Sequence, residues 1–370
     1  MTCVELGFAV EPSDVRLLVS RYFPSKIGGT PAWLDQANLP SSREVACGLC
    51  KEPTVLLLQI YAPDTEDDIA FHRTIFLTCC LSASCHVTDS ARCFHVFRCQ
   101  LPRRNVFYSF EPPDEDNPES EQRQVDERFE AARLCWVCGF LGEKSCAKCH
   151  TAKYCSRQHQ IIHWKNGHKE ECTRLSQSQG GNETKTSERQ CVVASAVFPQ
   201  LELVIETEPE VVDEEKTDEQ RMREYEEFVK REGSGVAEAA DVEEFEREAA
   251  EQKHVECDKA FRRFKDRISR EPEQVLRYQR HGMPLWVSDK TPSLQHDVPH
   301  CSCGSERTFE FQVMPQLLNY LKVDSLNEPS IDWGTLVVYT CKRGCNEGTP
   351  YHEEFIFKQS FNSLTCKETR

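Results

Sequence analysis

Residues 135–172 read CWVCGFLGEKSCAKCHTAKYCSRQHQIIHWKNGHKEEC, and their cysteines and histidines decide how this segment folds. Its eight potential zinc ligands fall in four pairs: Cys135/Cys138, Cys146/Cys149, Cys155/His159 and His168/Cys172. A Cys-x-x-Cys pair holds one edge of a tetrahedral site from a tight turn, and residues four apart share one face of a helical turn. Four such pairs predict two zinc sites. Because the segment has too few apolar residues for a core of its own, metal binding must supply most of its folding free energy, on the order of 10 kcal/mol or more per structural zinc.

The segment resembles a known module, the MYND zinc finger. The matching residues are Cys135-x2-Cys138, Cys146-x2-Cys149, Tyr154-Cys155-Ser156, Trp164 and His168-x3-Cys172. The sites of that family are cross-braced, and this resemblance implies one zinc on Cys135, Cys138, Cys155 and His159 and a second on Cys146, Cys149, His168 and Cys172. His159 stands where the family usually has Cys, and His is also a good zinc ligand. The gap from His159 to His168 is one residue longer than the family pattern, which leaves His163 as an alternative ligand.

The composition of the chain sets limits on its class. Its 370 residues are enough for two or more domains. The opening MTCVELGFAVEPSD lacks a basic stretch followed by an apolar one, so we expect no secretory signal, and no run approaches the roughly 18 apolar residues of a membrane span. The chain nevertheless has 21 cysteines. Many thiols without a secretory route indicate a reducing compartment and metal ligation instead of disulfides.

The net charge of the chain is −16. Nucleic-acid binding generally depends on lysine and arginine that neutralise phosphates, so this charge argues against it. A basic partner suits the charge better.

Two distant parts of the chain resemble each other. Residues 29–34 (GTPAWL) correspond to residues 282–287 (GMPLWV) at an offset of 253 residues, and the same offset aligns Cys50 with Cys303 and Gln59 with Gln312. Six short β-branched or aromatic runs in these parts predict strands. They are Thr54–Tyr61, Thr74–Thr78, Phe94–Phe97, Phe309–Met314, Thr335–Thr340 and Glu354–Phe357. The pattern predicts a duplicated small β domain with the finger inserted between its copies.

Each copy also contains cysteine pairs at two predicted strand ends, as in a zinc ribbon. The candidate ligand sets are Cys47, Cys50, Cys80 and Cys85 in the first copy and Cys301, Cys303, Cys341 and Cys345 in the second. Cys79 is an alternative to Cys80, and His300 is an alternative to Cys301. Ordinary buried cysteines of a β core are the other interpretation of both sets.

The region after the finger changes in composition. Ser176–Glu188 is a polar linker, and Glu202–Glu251 is rich in Glu and Asp, with helix-forming composition at Asp218–Arg231 and Asp241–Glu251. This region is either a solvated linker or an acidic arm for a basic client. After it, Phe261, Phe264 and Ile268 recur at helical spacing and predict a packing face, and residues 270–273 predict a helix break and restart.

The resulting fold class is α+β: a duplicated zinc-containing small β-sheet domain with an inserted finger and an acidic, partly helical or disordered connector. The predicted boundaries are 1–128 for the first copy, 129–175 for the finger, 176–251 for the linker and 252–370 for the second copy.

This layout resembles the programmed cell death protein 2 family. The resemblance rests on residues 28–34 (GGTPAWL), Cys47-x2-Cys50, the finger, residues 271–278 (EPEQVLRY) and residues 310–321 (EFQVMPQLLNYL). It implies a cytoplasmic and nuclear escort, or dedicated chaperone, for a newly made basic protein of the small ribosomal subunit. It also implies links to ribosome biogenesis, cell proliferation, stem-cell maintenance and apoptosis.

We do not expect an enzyme. The Asn-His-Ser step of MYND-containing methyltransferases, a Walker loop, a nucleophile elbow and a His-Glu-x-x-His pair are all missing from the sequence. Every proposed zinc has four protein ligands, which leaves no position for an activated water. The alternative function is a nuclear adaptor or transcriptional co-regulator whose finger binds proline-containing peptides. Its groove would be lined by Lys148, Lys153, Trp164, Lys165 and Lys169.

Overall fold

A computed structural model of the chain describes residues 3–115, 133–177, 196–209, 259–293, 297–323 and 330–361. The strands are β1 Glu5–Val10, β2 Lys26–Ile27, β3 Val55–Tyr61, β4 His72–Cys79, β5 Phe94–Leu101, β6 Lys144–Ser145, β7 Lys153–Tyr154, β8 Leu201–Thr207, β9 Gln274–Tyr278, β10 Arg307–Val313, β11 Thr335–Cys341 and β12 Tyr351–Gln359. The α-helices are α1 Arg157–His163, α2 Lys169–Gln177, α3 Lys259–Ile268 and α4 Leu317–Leu321. Short 3₁₀ turns span Val15–Leu17, Ser20–Tyr22, Ala83–Cys85 and Ala91–Cys93. Among the described residues, no helix combines the length and apolar character that crossing a membrane requires.

Ten of the strands form one closed antiparallel barrel, in the order β1-β8-β2-β3-β4-β5-β12-β11-β10-β9 with β9 paired back to β1. The six strands predicted from sequence are β3, β4, β5, β10, β11 and β12, and all six are confirmed. The two similar parts of the chain contribute β2–β5 and β9–β12 and meet where β5 pairs with β12. They share one barrel instead of forming two small packed sheets. Closure of the barrel pairs strand edges that two separate sheets would leave open.

Strands β1 and β8 complete the barrel, and the sequence prediction missed both. The acidic linker predicted over 176–251 is wrong at β8, which lies between β1 and β2. Its residues, LELVIET, bury Leu201 and Leu203, and Glu202 and Glu206 lie on either side of the apolar run 203–205. Burial alternates along the first residues of β8, as in a half-buried strand. Its two glutamates nevertheless led to the assignment of this segment to the acidic connector.

The other predictions for the connector have different outcomes. Residues 178–188, 218–231 and 241–251 lie outside the described residues, so the linker and helix predictions made there stay predictions. The packing face on α3 is confirmed, because Phe264 is buried against Val287 and Met314, with Phe261 and Ile268 beside it. The predicted helix restart after residues 270–273 is wrong, because strand β9 follows. The β-branched Val275 and the pairing of β9 with both β1 and β10 favour the extended form.

A buried ion pair crosses the inside of the barrel. Arg73 on β4 binds Glu310 on β10 through two hydrogen bonds of 2.7 and 2.8 Å, although these strands are not neighbours in the sheet. The hydroxyls of Tyr278 and Thr340 also donate to Glu310. Burial alone would raise the pKa of Glu310, but Arg73 and these donors lower it to about 2. The carboxylate is therefore charged at neutral pH, and the pair fixes opposite walls of the barrel to each other.

The two aligned glutamines make the same contact. Gln59 Oε1 accepts a hydrogen bond of 2.8 Å from the Ala32 amide, and Gln312 Oε1 accepts one of 2.6 Å from the Leu285 amide. Each bond holds the loop that carries a tryptophan, Trp33 or Trp286, against its strand.

Candidate metal centres

The finger presents its first two cysteine pairs in two similar tight turns. In the turn after Cys135, Gly139 has φ +72° and its amide donates to the Cys135 carbonyl at 2.9 Å. In the turn between β6 and β7, His150 has φ +56° and its amide donates to the Cys146 carbonyl, also at 2.9 Å. Each turn therefore directs two thiols to one side. His150 serves as the left-handed turn residue, and no metal-ligand group among the described residues includes it.

The remaining ligands of the finger lie on and between two helices. Ser156 caps α1 by accepting a hydrogen bond of 3.1 Å from the His159 amide, which sets that side chain on the first turn. The chain then bends at Asn166 and Gly167, where Gly167 has φ +126°. This bend precedes His168, and Cys172 follows on α2.

The eight side chains converge in the two sets that the family resemblance implies. The donor atoms of Cys135, Cys138, Cys155 and His159 all lie within 4.8 Å of one another, and so do those of Cys146, Cys149, His168 and Cys172. All eight residues are buried.

Distances within the two sets can be compared with a zinc site. Ligands at the corners of a tetrahedron, with Zn–S about 2.3 Å and Zn–N about 2.0 Å, stand about 3.5–3.8 Å apart. The Cys138–Cys155 and Cys146–Cys172 sulfur separations are 3.6 and 3.7 Å. The sulfur of Cys149 is 3.7 Å from His168 Nε2, and only the 3.1 Å between Cys155 and His159 Nδ1 is short. The residues therefore fit zinc, and the sulfurs are too far apart for disulfides, whose S–S bond is about 2.05 Å.

His163, the alternative ligand, lies beside the second set and not within it. Its Nδ1 is 2.9 Å from the Tyr154 hydroxyl, and its ring stacks on His168 at 4.7 Å. Burial, and then the neighbouring His168, lower the pKa of His163, which favours its neutral ring. Glu171 Oε2 is 3.4 Å from His168 Nδ1. A carboxylate on the second ring nitrogen is the usual way of orienting a zinc-bound histidine, which favours His168 over His163 as the ligand.

The first set outside the finger lies at one end of β4. The donor atoms of Cys47, Cys50, Cys80 and Cys85 are within 4.8 Å of one another, and the Cys50 and Cys80 sulfurs are 3.6 Å apart. Lys51 (φ +66°) closes a turn like those of the finger, and its amide donates to the Cys47 carbonyl at 3.0 Å. The alternative, Cys79, is instead buried beside His86.

The second barrel set is Cys301, Cys303, Cys341 and Cys345, again within 4.8 Å of one another. The Cys301–Cys345 and Cys303–Cys341 sulfur distances are 3.5 and 3.7 Å. His300, the alternative, directs Nδ1 to the Gly304 carbonyl at 3.2 Å. The geometry of these two sets fits zinc as that of the finger does, and the ligand assignments stay predictions.

A salt-bridge network joins the second barrel set to β5, the neighbouring strand from the first of the two similar parts of the chain. Arg98 on β5 donates to Glu354 at 2.7 Å and to the Cys345 carbonyl at 3.0 Å. Glu354 also accepts from the Cys341 amide at 3.1 Å and from Arg307 at 2.9 Å. A change at this set would therefore disturb the contacts between β5 and β12.

The finger packs directly onto the barrel. The Trp33 indole, 2 % exposed, donates a hydrogen bond of 2.8 Å to the Gly139 carbonyl and packs edge-on against Phe140 at 5.2 Å. A Cβ on Gly139 would come within 2.6 Å of Thr30, so the finger turn and the barrel loop are in close contact. Trp286, at the matching position of the second part, is half-buried and packs on Phe357 instead. Sequence comparison of the two parts could not show this difference, because it depends on where the finger docks.

Comparison with known proteins matches these parts of the chain. Models of the N-terminal and C-terminal domains of programmed cell death protein 2 match residues 3–115 and 258–360, and the MYND finger model matches residues 135–172. The chain is 43% identical over 358 residues to programmed cell death protein 2 of Bos taurus, covering 96% of each chain. It belongs to the programmed cell death protein 2 family. The Mus musculus protein of the same name is 42% identical over 356 residues, with the same coverage.

A relative that matches a shorter part of the chain is named for ribosomal RNA. The "Probable 20S rRNA accumulation protein 4" of Schizosaccharomyces pombe is 36% identical over 115 residues, 28% of each chain. No solved structure matches the chain. The family resemblance and the MYND finger are thereby confirmed, and the finger implies that the protein binds zinc.

Proposed function

We propose that this protein is a zinc-binding escort, or dedicated chaperone, for a newly made basic protein of the small ribosomal subunit, acting in the cytoplasm and nucleus. The main support is the likeness to a relative named for 20S rRNA accumulation, which matches 28% of the chain. Programmed cell death protein 2 of Bos taurus matches 96% of the chain. The name of that first relative indicates ribosome biogenesis, a process in which newly made ribosomal proteins need escorts. Effects on proliferation, stem-cell maintenance and apoptosis would then follow from ribosome supply.

The charge of the chain supports a basic client. Most of the net charge of −16 comes from residues 210–258, which contain 19 Asp and Glu and 7 Lys and Arg. An acidic binder neutralises a basic protein and keeps it from other polyanions before assembly. The proposal assigns no catalysis to the protein, because each candidate zinc set offers four protein donors and so has no open coordination position.

We infer that the barrel arose by duplication of a four-stranded unit and that four zincs stabilise the protein, two in the finger and one in each unit. The equivalent contacts of Gln59 and Gln312 and the mirrored strand order β2–β5 and β12–β9 support this. A rigid barrel would then present the client-binding surface.

One observation favours a second candidate function, an adaptor that binds proline-containing peptides or nuclear regulators through the finger. Ile161 and Trp164, one turn apart on the finger, are both 39% exposed, and Lys165 and Lys169 are exposed near them. Exposed apolar side chains beside cations are typical of peptide-binding surfaces. The barrel contact of the finger is made by other residues, because Trp33 meets Gly139 and Phe140.

The two functions can be separated by affinity purification of the tagged full-length chain and of an Ile161→Ser/Trp164→Ala variant. If the protein is an escort, one small-subunit ribosomal protein dominates both samples. If it is an adaptor, nuclear regulators dominate the wild-type sample and are lost from the variant. Zinc content equal to wild type serves as the folding control. Absence of any small-subunit ribosomal protein from both samples would overturn the escort proposal.

A further inference from the structure

The two similar parts of the chain differ in what covers their matching tryptophan loops. In the first part the finger covers the loop: the Trp33 indole donates to the Gly139 carbonyl at 2.8 Å, and the Phe140 ring packs against the indole at 5.2 Å. In the second part Trp286 is half-buried, and none of the described residues accepts a hydrogen bond from its indole. The finger therefore gives the first loop a backbone acceptor that the described residues do not give to the second.

An aromatic cluster surrounds Trp286 on the outside of the barrel. The Thr340 hydroxyl reaches Glu310 inside the barrel, so the preceding residue of β11, Tyr339, faces outward. The outward cluster consists of Val298, Phe309, Val337 and Tyr339, with Trp286, Phe355 and Phe357 packed against it. The last three are only half-buried. The Tyr339 hydroxyl is buried and has no hydrogen-bond partner within the described part of the chain. Partly exposed rings beside donors without acceptors suit a peptide, which brings apolar side chains together with backbone carbonyls.

Strand β12 connects this cluster with the finger contact. Tyr351 packs on Trp33 at 5.2 Å, and Phe357 packs on Trp286 at 5.9 Å. Side chains two apart along a strand share a face, so residues 351, 353, 355 and 357 form one stripe about 20 Å long. The second tryptophan loop is therefore continuous with a surface on which one segment, the finger, is already bound.

The charge on the stripe favours a basic occupant. Glu353 lies between the two tryptophans, and its side chain is 65% exposed, with the carboxylate 3.2 Å from His95 Nδ1. An exposed carboxylate beside half-buried rings suits a Lys or Arg that follows or precedes an aromatic residue. The net charge of −16 attracts such a segment from a distance.

We propose that this face, formed by Trp286, Glu353, Phe355 and Phe357, binds an aromatic and basic segment of the client. An aromatic side chain of the client packs on Trp286 and Phe357, a Lys or Arg pairs with Glu353, and a backbone carbonyl accepts from the Trp286 indole. The client thus takes on the second half the position that the finger takes on the first. The finger of a second copy is a weaker fit, because its Gly139 carbonyl is already bonded to its own Trp33. The inference rests on the escort function and names the surface that performs it.

The first test measures binding, with the proteins extracted from purified eukaryotic small ribosomal subunits as the probe. The protein that the wild type retains is isolated, and its dissociation constant is measured for the wild type, Trp286→Ala, Glu353→Lys and the matched control Glu306→Lys. Glu306 has a similarly exposed side chain, at 68%, and lies outside the aromatic cluster, where it pairs with Lys342. We expect Trp286→Ala to weaken binding about thirtyfold, as an aromatic hot spot does, and Glu353→Lys about tenfold. The control should stay within about twofold of wild type.

Zinc content and the thermal midpoint serve as folding controls. Glu353→Lys keeps the test decisive if Trp286→Ala does not fold, because the Glu353 side chain is mostly exposed. If the wild type retains a ribosomal protein that both variants bind equally well, this face is not the client site, while the escort function stands. If the wild type retains no ribosomal protein, both proposals are overturned.

A second measurement locates the contact. A photo-crosslinking amino acid at Phe355 is expected to join the wild type to a client peptide that contains an aromatic residue and a Lys or Arg. The same amino acid at Phe110, which is 46% exposed in the first part of the chain, is expected not to crosslink that peptide. Crosslinks from Phe355 to a second copy of this chain would assign the face to self-association and overturn the proposal.

Discussion

Replacing Glu310 with Gln removes the negative charge that neutralises Arg73 while nearly preserving the shape of the side chain. Both side chains are almost completely buried, at 0 and 1% exposure, and their two hydrogen bonds are 2.7 and 2.8 Å long. Breaking a buried pair by removing one partner costs about 3–5 kcal/mol, because the other charge stays buried without compensation. The lowered pKa of Glu310 gives a similar size: a fall from 4.5 to about 2 corresponds to about 3 kcal/mol. We therefore expect Glu310→Gln to lower the free energy of unfolding at pH 7 by about 3 kcal/mol.

The same pair predicts a pH dependence with a definite sign. Because the pKa of Glu310 is lower in the folded state, its contribution is fully present above pH 4.5 and is lost as the pH falls toward 2. The difference in unfolding free energy between wild type and Glu310→Gln should therefore narrow over that range. Comparing the two proteins removes the effect of protonating zinc ligands, since both lose zinc alike.

Urea unfolding followed by tryptophan fluorescence, with reductant and zinc in excess, measures both quantities. The control is the double variant Arg73→Met/Glu310→Leu, which removes both charges and should recover at least about 2 kcal/mol of the loss in Glu310→Gln. A loss below about 1 kcal/mol in Glu310→Gln, or a double variant less stable than the single one, would refute the view that this ion pair fixes the barrel.

Three further predictions concern the metal sites and the finger contact. Metal analysis of the purified protein should give four zincs per chain; about two would refute the two barrel sites and leave the finger intact. Cys303→Ser should lower that count by one and destabilise the second half of the barrel, while a variant that lost the finger zincs as well would contradict separate sites. Trp33→Ala should cost about 3–5 kcal/mol, because it loses a buried indole and its bond to Gly139, and Trp286→Ala should cost clearly less in the same urea assay; equal losses would mean that the finger contact adds nothing.

Local sequence patterns predicted what depends on nearby residues. The six apolar runs became strands because β-branched and aromatic side chains suit a pleated, buried surface. The spacing of cysteines and histidines predicted the ligand pairs, and the family resemblance implied how the four pairs of the finger combine into two sets; the structure brings the same sets together. Strand β8 was missed because Glu202 and Glu206 dilute its alternation.

Long-range contacts could not be predicted in this way. Arg73 and Glu310 are 237 residues apart, and Trp33 and Gly139 are 106 apart, so no local pattern joins them. The choice between His163 and His168 also needed the folded positions of both rings, because only the structure shows that His168 Nε2 lies 3.7 Å from the Cys149 sulfur. Insertion of the finger between the two similar parts predicts that the barrel stays folded when residues 134–173 are replaced by a flexible bridge. The structure adds that this excision uncovers Trp33, which contacts Gly139 and Phe140 of the finger.

The strand order of the barrel has a consequence for synthesis of the protein on the ribosome. Strand β1 begins at residue 5, yet its partners end at residues 207 and 278, so the N-terminal strand must wait for most of the chain. At about 5–20 residues per second, that wait is about 15–55 s. The finger needs only residues 135–172 and can close around zinc well before then. During this interval the nascent chain carries a folded metal module beside unpaired strands. Production of this protein therefore needs zinc before the barrel closes, and the unpaired strands are exposed to aggregation until it does.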